Sequence, residues 1–200
     1  MNHRFQCRCG TVQGEIAHAQ HGVRGTCYCT DCQAYAHVLG DVQRLLDAHG
    51  GTGIVAIRSA DVRFTAGKEA LACSSLSPRG LLRWSASCCN TPIANTPRTW
   101  KMPYAGMLEA CLDRPDPVDR SWPVVQMRLN TKTAKGSPPP AEGFRGGLRF
   151  AGLMARIIRA RLAGGYRTTP FFDAQGAPVV PVVVLPKADV EAARRAGGFA

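Results

Sequence analysis

Apolar and polar residues alternate along Thr11-Val12-Gln13-Gly14-Glu15-Ile16, the pattern of a strand with one face turned to a core. Gly53-Ile54-Val55-Ala56-Ile57 is instead a continuous, β-branched run, as expected of a buried strand. Val62-Arg63-Phe64-Thr65 adds a third strand, closed by the turn Ala66-Gly67-Lys68, and Leu81 to Ser87 a fourth that runs into Cys88-Cys89. Val124 to Asn130 reads as one more strand. Asp113 to Pro123 and Lys132 to Pro140, rich in proline and charge, read as loops or linkers. A helical period appears only late, over Gly147 to Ala163. There Leu148, Ala151, Met154, Ile158 and Leu162 recur at helical spacing, and Gly164-Gly165 supplies the stop. Its other face carries Arg149, Arg156 and Arg159, read as a solvated basic face. Pro170 to Pro186 looks extended, and Ala188 to Ala196 forms a last short helix. The pattern predicts a mainly β core over 1–112 and a C-terminal helical extension over 113–200 packed on it, α+β overall.

Composition narrows the picture. With 200 residues, one substantial domain is expected, and 21 glycines and 14 prolines favour short strands and many turns. No apolar stretch precedes Cys7, and the most apolar later segment, Val179 to Leu185, is too short to span a bilayer, so a cytoplasmic protein with no membrane partner is expected. In a reducing compartment nine cysteines point to metal ligation or thiol chemistry rather than to disulfides. The formal charge of +11 suits an anionic small molecule or a nucleic acid. Seven zinc-bound thiolates around two ions would lower it by about 3, because bound cysteine is deprotonated, and the charge does not choose between those partners.

The cysteines are spaced as ligands. Cys7-Arg8-Cys9-Gly10 is a C-x-C-G element, Cys27-Tyr28-Cys29-Thr30-Asp31-Cys32 is a C-x-C-x-x-C element, and Cys88-Cys89 follows downstream. Close pairs let one turn present several sulfurs to one ion, so zinc, one or two per chain, is the expected cofactor. Three thiolates in six residues suggest a site with an open fourth position, as in catalytic zinc. Its charge of about −1 would suit holding a thiolate better than ionising water. His37 and Cys73 are candidates to close that site, which would make it structural. Iron is not excluded by thiolates alone. Asp31 either orients the site or makes an Asx turn, Cys73 and Cys111 read as small buried residues, and His3, His18, His21 and His49 show no ligand spacing.

Four segments carry a resemblance: Phe5-Gln6-Cys7-Arg8-Cys9-Gly10-Thr11-Val12, Cys27-Tyr28-Cys29-Thr30-Asp31-Cys32-Gln33, Phe64-Thr65-Ala66-Gly67-Lys68 and Cys89-Asn90-Thr91-Pro92-Ile93. In order and spacing, over roughly residues 5 to 97, they resemble the glutathione-dependent formaldehyde-activating enzyme and centromere protein V superfamily. The resemblance implies a zinc-binding β-tent core. It also implies structural ligands at Cys7 and Cys9 and a catalytic site at Cys27, Cys29 and Cys32. The chain departs from the pattern beside Cys89: the expected preceding cysteine is Ala86, the following glycine is Asn90, and Cys88 is the substitute. The first site is then Cys7, Cys9, Cys88 and Cys89, or has three thiolates.

The activity implied is a carbon–sulfur lyase type of reaction, addition of glutathione or another thiol to formaldehyde or a similar small aldehyde. Glutathione carries two carboxylates, for which Arg83, Arg98 and Lys101, flanking the last cysteines, are the candidate anchors. The alternative from a different class is a non-catalytic zinc module whose basic surface engages nucleic acid or an acidic partner.

Overall fold

The computed structural model describes residues 1–113 and 116–199. In chain order the elements are β1 (His3–Gln6), β2 (Gln13–Ile16), β3 (Val23–Cys27), α1 (Thr30–Leu39), the single turn α2 (Val42–Leu45), β4 (Thr52–Arg58), β5 (Val62–Ala66), β6 (Leu71–Ser75), β7 (Leu82–Ala86), β8 (Pro92–Thr96), β9 (Tyr104–Leu108), α3 (Glu109–Leu112), β10 (Met127–Leu129), α4 (Phe144–Leu162), β11 (Val182–Val184) and α5 (Lys187–Ala196). The fold is α+β and mostly β, with eleven strands in two sheets among the described residues.

The smaller sheet runs β1-β2-β5 and the larger β10-β3-β4-β9-β8-β7-β6-β11. Pairing is antiparallel except at the two edges of the large sheet, where β10 lies parallel to β3 and β11 parallel to β6. Both edge strands come from residues after 113, so the second half of the chain covers the backbone groups that β3 and β6 would otherwise expose. Of the expected strand Val124 to Asn130 only the last part pairs, and the expected loop Asp113 to Pro123 contains Arg114 and Pro115, which lie outside the described residues.

Alternation decides which side chains meet. Phe5, Ile16 and Val62 of the small sheet share one core with Val55, Ile57, Trp84, Ala94 and Met107 of the large sheet. Trp84 is fully buried, packs on Phe171 with ring centroids 5.1 Å apart and planes tilted by 43°, and donates its indole N–H to Thr96 Oγ1 at 2.9 Å. Cys73 and Cys111 lie in this core as buried residues. The next residues along, on the other face of the large sheet, are Cys27, Ile54 and Leu108, which cluster together with Cys32. Val23 and Ala56 on that same face pack under Leu153 and Ile157 of α4, and α5 lies along α1, with Val190 joining Tyr35 and Leu76.

The sequence reading of α4 needs correction in one respect. Most of the stripe that marks it as a helix is not the face that packs: of its five residues Met154 packs at the edge of the buried face, Leu148, Ala151, Ile158 and Leu162 are exposed, and Leu153 and Ile157 are the buried residues. Gly146 gives the reason. It sits so close to the Gln126 carbonyl that a Cβ would collide, which fixes the rotation of the helix about its axis. Among the described residues no helix is long and apolar enough to cross a membrane.

Candidate metal centres

Cys7, Cys9, Cys88 and Cys89 converge, with their sulfurs all within 4.8 Å of one another. Two tight turns achieve this. Gly10, at φ 81°, lets its N–H reach the Cys7 carbonyl at 3.0 Å, so that Cys7 and Cys9 face the same way. At the end of the β7–β8 hairpin, Asn90 adopts a left-handed conformation, φ 55°, and its N–H bonds the Ala86 carbonyl at 2.8 Å. Asparagine tolerates that conformation better than most residues, so Asn90 does what a glycine would do there and adjacent Cys88 and Cys89 reach a common centre. Sulfur separations are 3.5 Å from Cys7 to Cys9, 3.9 Å from Cys7 to Cys88 and 3.1 Å from Cys9 to Cys88. Thr91 ties the two turns together, accepting from the Arg8 N–H at 3.0 Å and contacting Cys89 Sγ at 3.1 Å.

Cys27, Cys29 and Cys32 form the second cluster. Cys27 ends β3, and extended backbone places Cys29 on the same side while Tyr28 turns inward, fully buried, with its hydroxyl donating to Asp47 at 3.2 Å and accepting from Arg128 at 2.6 Å. Cys29 then serves as the N-cap of α1, its sulfur accepting from the Cys32 N–H at 3.4 Å, and the first turn carries Cys32 back to the other two. The thiols thus sit at the positive end of a helix, which favours their anionic form. Asn130, next to β10, donates its amide to Cys27 Sγ at 3.5 Å.

Proton sharing within each cluster shows what a cation would relieve. Hydrogen bonds from Cys29 and then Cys32 hold Cys27 down to about 2, and the same contact with Cys27 pushes Cys32 well up. In the four-cysteine cluster, Thr11 helps bring Cys9 down to about 6, and Cys88 beside it rises to about 12. In the triplet Cys27 ionises readily and Cys29 and Cys32 are then held protonated, and in the four-cysteine cluster Cys9 and Cys89 are lowered while Cys7 and Cys88 are raised; a bound cation offsets the mutual repulsion in both. Both clusters can hold a metal ion.

Their surroundings differ. The triplet borders a cavity of about 230 Å³ on the outer face of the large sheet, walled by Ile54, Leu76, Leu81 and Leu129 and carrying Asp31, Arg83, Asn95, Tyr104 and Asn130 as polar groups. Arg83 is 3% exposed, lies 4.8 Å over the Tyr35 ring, and has no carboxylate partner among the described residues. Asn95 Oδ1 is buried without a hydrogen bond. A larger cleft of about 360 Å³, containing Arg24, Arg44, Arg128, Asp47 and Glu109, borders the other face of β3 and has no cysteine in its wall.

Of the three candidate anchors, Arg83 alone lines the triplet cavity. Arg98 donates instead to the carbonyls of Gly80 at 3.0 Å and Ser77 at 3.3 Å, bracing the loop that forms part of the cavity wall, and Lys101 is an exposed surface residue outside it. His37 and Cys73 stand apart from the triplet, which has three members among the described residues. Asp31 is engaged by Arg194 of α5 at 2.7 Å rather than by an Asx turn. Asn95, Tyr104 and Asn130 were not among the sequence candidates. Asn95 had a usable signal, as an amide between Ala94 and Thr96 in a strand that is otherwise buried; Tyr104 and Asn130 had none, since only the fold brings them here.

Comparison with known proteins places these features. A search of the curated proteins gives no match. A solved structure of a Rhodobacter sphaeroides protein is similar at 20% identity with a TM-score of 0.40, over 63% of this chain and 99% of that one, a likeness too distant to carry an argument. A family profile matches residues 3–182, from β1 to the start of β11, and so takes in both cysteine clusters and the edge strand β10: the chain belongs to DUF6151, a family of unknown function.

Proposed function

We propose that the protein is a zinc-dependent carbon–sulfur lyase-like enzyme that joins a small thiol, such as glutathione, to a small aldehyde, with the reaction at Cys27, Cys29 and Cys32 and a structural ion at Cys7, Cys9, Cys88 and Cys89. The observation that carries this reading is the asymmetry between the clusters: four thiols close one site, and three thiols face a cavity at the other. The donor sets suit zinc. Bonds of about 2.3 Å in a tetrahedron require sulfurs about 3.8 Å apart; in the four-cysteine cluster Cys7–Cys9, Cys7–Cys88, Cys9–Cys88 and Cys88–Cys89 are separated by 3.5, 3.9, 3.1 and 3.8 Å, and all the sulfurs lie within 4.8 Å of one another. The resemblance to the formaldehyde-activating family supports the assignment of roles.

Bound at the triplet, zinc supplies a cation that favours the anionic, nucleophilic form of an incoming thiol. The remaining work falls to the chain. Arg83, buried and without a carboxylate, offsets the negative charge of the thiolates and offers an anchor for an acidic group of the thiol. Asn95 and Tyr104 present an amide and a hydroxyl to the cavity, suited to hold the aldehyde oxygen. Ile54, Leu76, Leu81 and Leu129 exclude water and hold the two reactants together. In the addition a carbon–sulfur bond forms, the carbonyl π bond breaks, and the proton lost by the thiol ends on the former carbonyl oxygen, giving a hydroxyalkyl thioether.

The test is exchange NMR of formaldehyde with glutathione, alongside elemental analysis for zinc and iron. Two zincs per chain, faster adduct exchange than in buffer, and loss of both the acceleration and one zinc in Cys29→Ser would support the proposal. Absence of acceleration in a two-zinc protein would refute the enzymatic role, and iron with visible colour would refute zinc.

A further inference from the structure

The apolar stripe of α4 faces solvent. Phe144, Leu148, Ala151, Ala155, Ile158 and Leu162 follow one another in alternating steps of four and three, the repeat of a coiled-coil seam. Phe144 and Leu162 are 81% and 82% exposed, and Leu148 and Ile158 are 57% and 55% exposed. At about 100° per residue the stripe is about 80° wide, the narrow face of a helix pairing with one other helix. It is not needed for folding, because α4 seats itself through Leu153 and Ile157 on the opposite side.

Charge selects the occupant. The helix carries Arg145, Arg149, Arg156, Arg159 and Arg161 and no acidic residue. None of the five pairs with a carboxylate among the described residues. Arg145, Arg159 and Arg161 sit directly beside the seam. Two copies of α4 packed along their seams would therefore set arginines against arginines. A lipid surface favours bulky side chains across a broad face, but the middle of this stripe is Ala151 and Ala155, which give room for a close helix backbone instead. We propose that α4 is a docking surface for an amphipathic helix of a partner protein, one with an apolar seam and acidic flanking positions. The proposal is independent of the metal and of the activity.

The probe is a designed three-heptad peptide with leucine at the seam positions and glutamate on both flanks, titrated against the full chain by fluorescence anisotropy. The expected result is binding that weakens with salt and falls at least about tenfold when the flanking glutamates are changed to lysines. It should disappear in Leu148→Glu/Ile158→Glu, while the circular dichroism and zinc content of that variant stay those of the unmodified protein. Equal binding of both peptides, or binding of neither, overturns the proposal. So does co-sedimentation with phosphatidylserine vesicles in the absence of acidic-peptide binding, which assigns the face to lipid. Concentration-dependent dimerisation abolished by the same substitutions overturns it in favour of a second copy.

Discussion

An ion held by the four cysteines would join distant parts of the chain and one held by the triplet would not, so loss of the first should cost the fold more. Cys7 and Cys88 are 81 residues apart. Closing a loop of that length in the unfolded chain costs about 4.5 kcal/mol of entropy at 25 °C, whereas closing the local Cys27–Cys32 turn costs about 2 kcal/mol. Metal–sulfur bonds would contribute at both sites, and the fourth bond at the four-cysteine site would add to the difference in the same direction. The unfolded chain also retains more affinity at the local triplet than across the long loop. Cys9→Ser/Cys88→Ser removes two exposed side chains and so opens no cavity, and Cys29→Ser keeps a good N-cap on α1, so neither variant adds a large packing or capping loss. Urea unfolding, followed through buried Trp84 and Trp122 with metal content checked on each protein, should place the double variant below Cys29→Ser by about 2.5 kcal/mol. Equal loss of stability in the two, or a larger loss in Cys29→Ser, would show that the triplet, and not the four-cysteine site, is the main cross-link of the fold.

Three further outcomes follow from packing and charge. Arg24 bonds Glu109 at 2.7 and 3.1 Å and also engages Asp119 and the Trp122 carbonyl, joining β3 to α3 and to the segment before β10; Arg24→Met leaves Glu109 without its cation and should lower stability by about 2–4 kcal/mol in urea titrations. Leu153→Ala should cost about 2–4 kcal/mol and Leu148→Ala less than about 0.5 kcal/mol, so that thermal unfolding of the two distinguishes the buried face of α4 from the exposed one. Arg4, bonded to Asp116 through two nitrogens at 3.1 Å, holds that carboxyl down to about 2. The folded value is depressed, so this contribution is complete above the unfolded value of about 3.9 and is lost as pH falls toward 2. The difference in urea midpoint between the unmodified protein and Asp116→Asn should be constant near neutrality and close across that window.

The parts of the fold legible in the sequence were those set by local rules. Strands β2, β4, β5 and β7 follow from alternation or from β-branched runs, and α4 from helical spacing. The start of α1 was hidden by its own chemistry: a C-x-x-C reads as a ligand loop, and the same spacing is that of an N-cap and the third residue of a helix, so Cys29 and Cys32 serve both purposes. The four-cysteine site was partly legible, since its ligands are cysteines wherever they fall, but whether adjacent Cys88 and Cys89 could share a centre turned on the backbone of Asn90. The long stripe on α4 misled for a different reason, because periodicity shows that a helix has an apolar face and says nothing of what that face meets.

What local rules could not supply is the cavity, because its walls come from β3, α1, β4, the β6–β7 loop, β7, β8, β9, β10 and Asn130 just after it. No spacing rule relates residues so far apart in the chain. Yet Arg83 and Asn95 do leave a trace, for both are polar side chains in strands where nearly every position is buried. A folded chain keeps a buried cation without a paired carboxylate where other negative charge or an aromatic face lies close, and Arg83 has the Tyr35 ring on one side. Here Arg83 lines one cavity with the triplet and with Asp31, and Asp31 is already engaged by Arg194, which leaves the triplet thiolates as the negative charge for Arg83 to offset. The arginine and the open cysteine site therefore account for each other. A variant family member that loses the triplet should lose the need for a cation at position 83 as well, and Arg83→Met should be better tolerated in a Cys27→Ser/Cys29→Ser/Cys32→Ser background than in the unmodified chain.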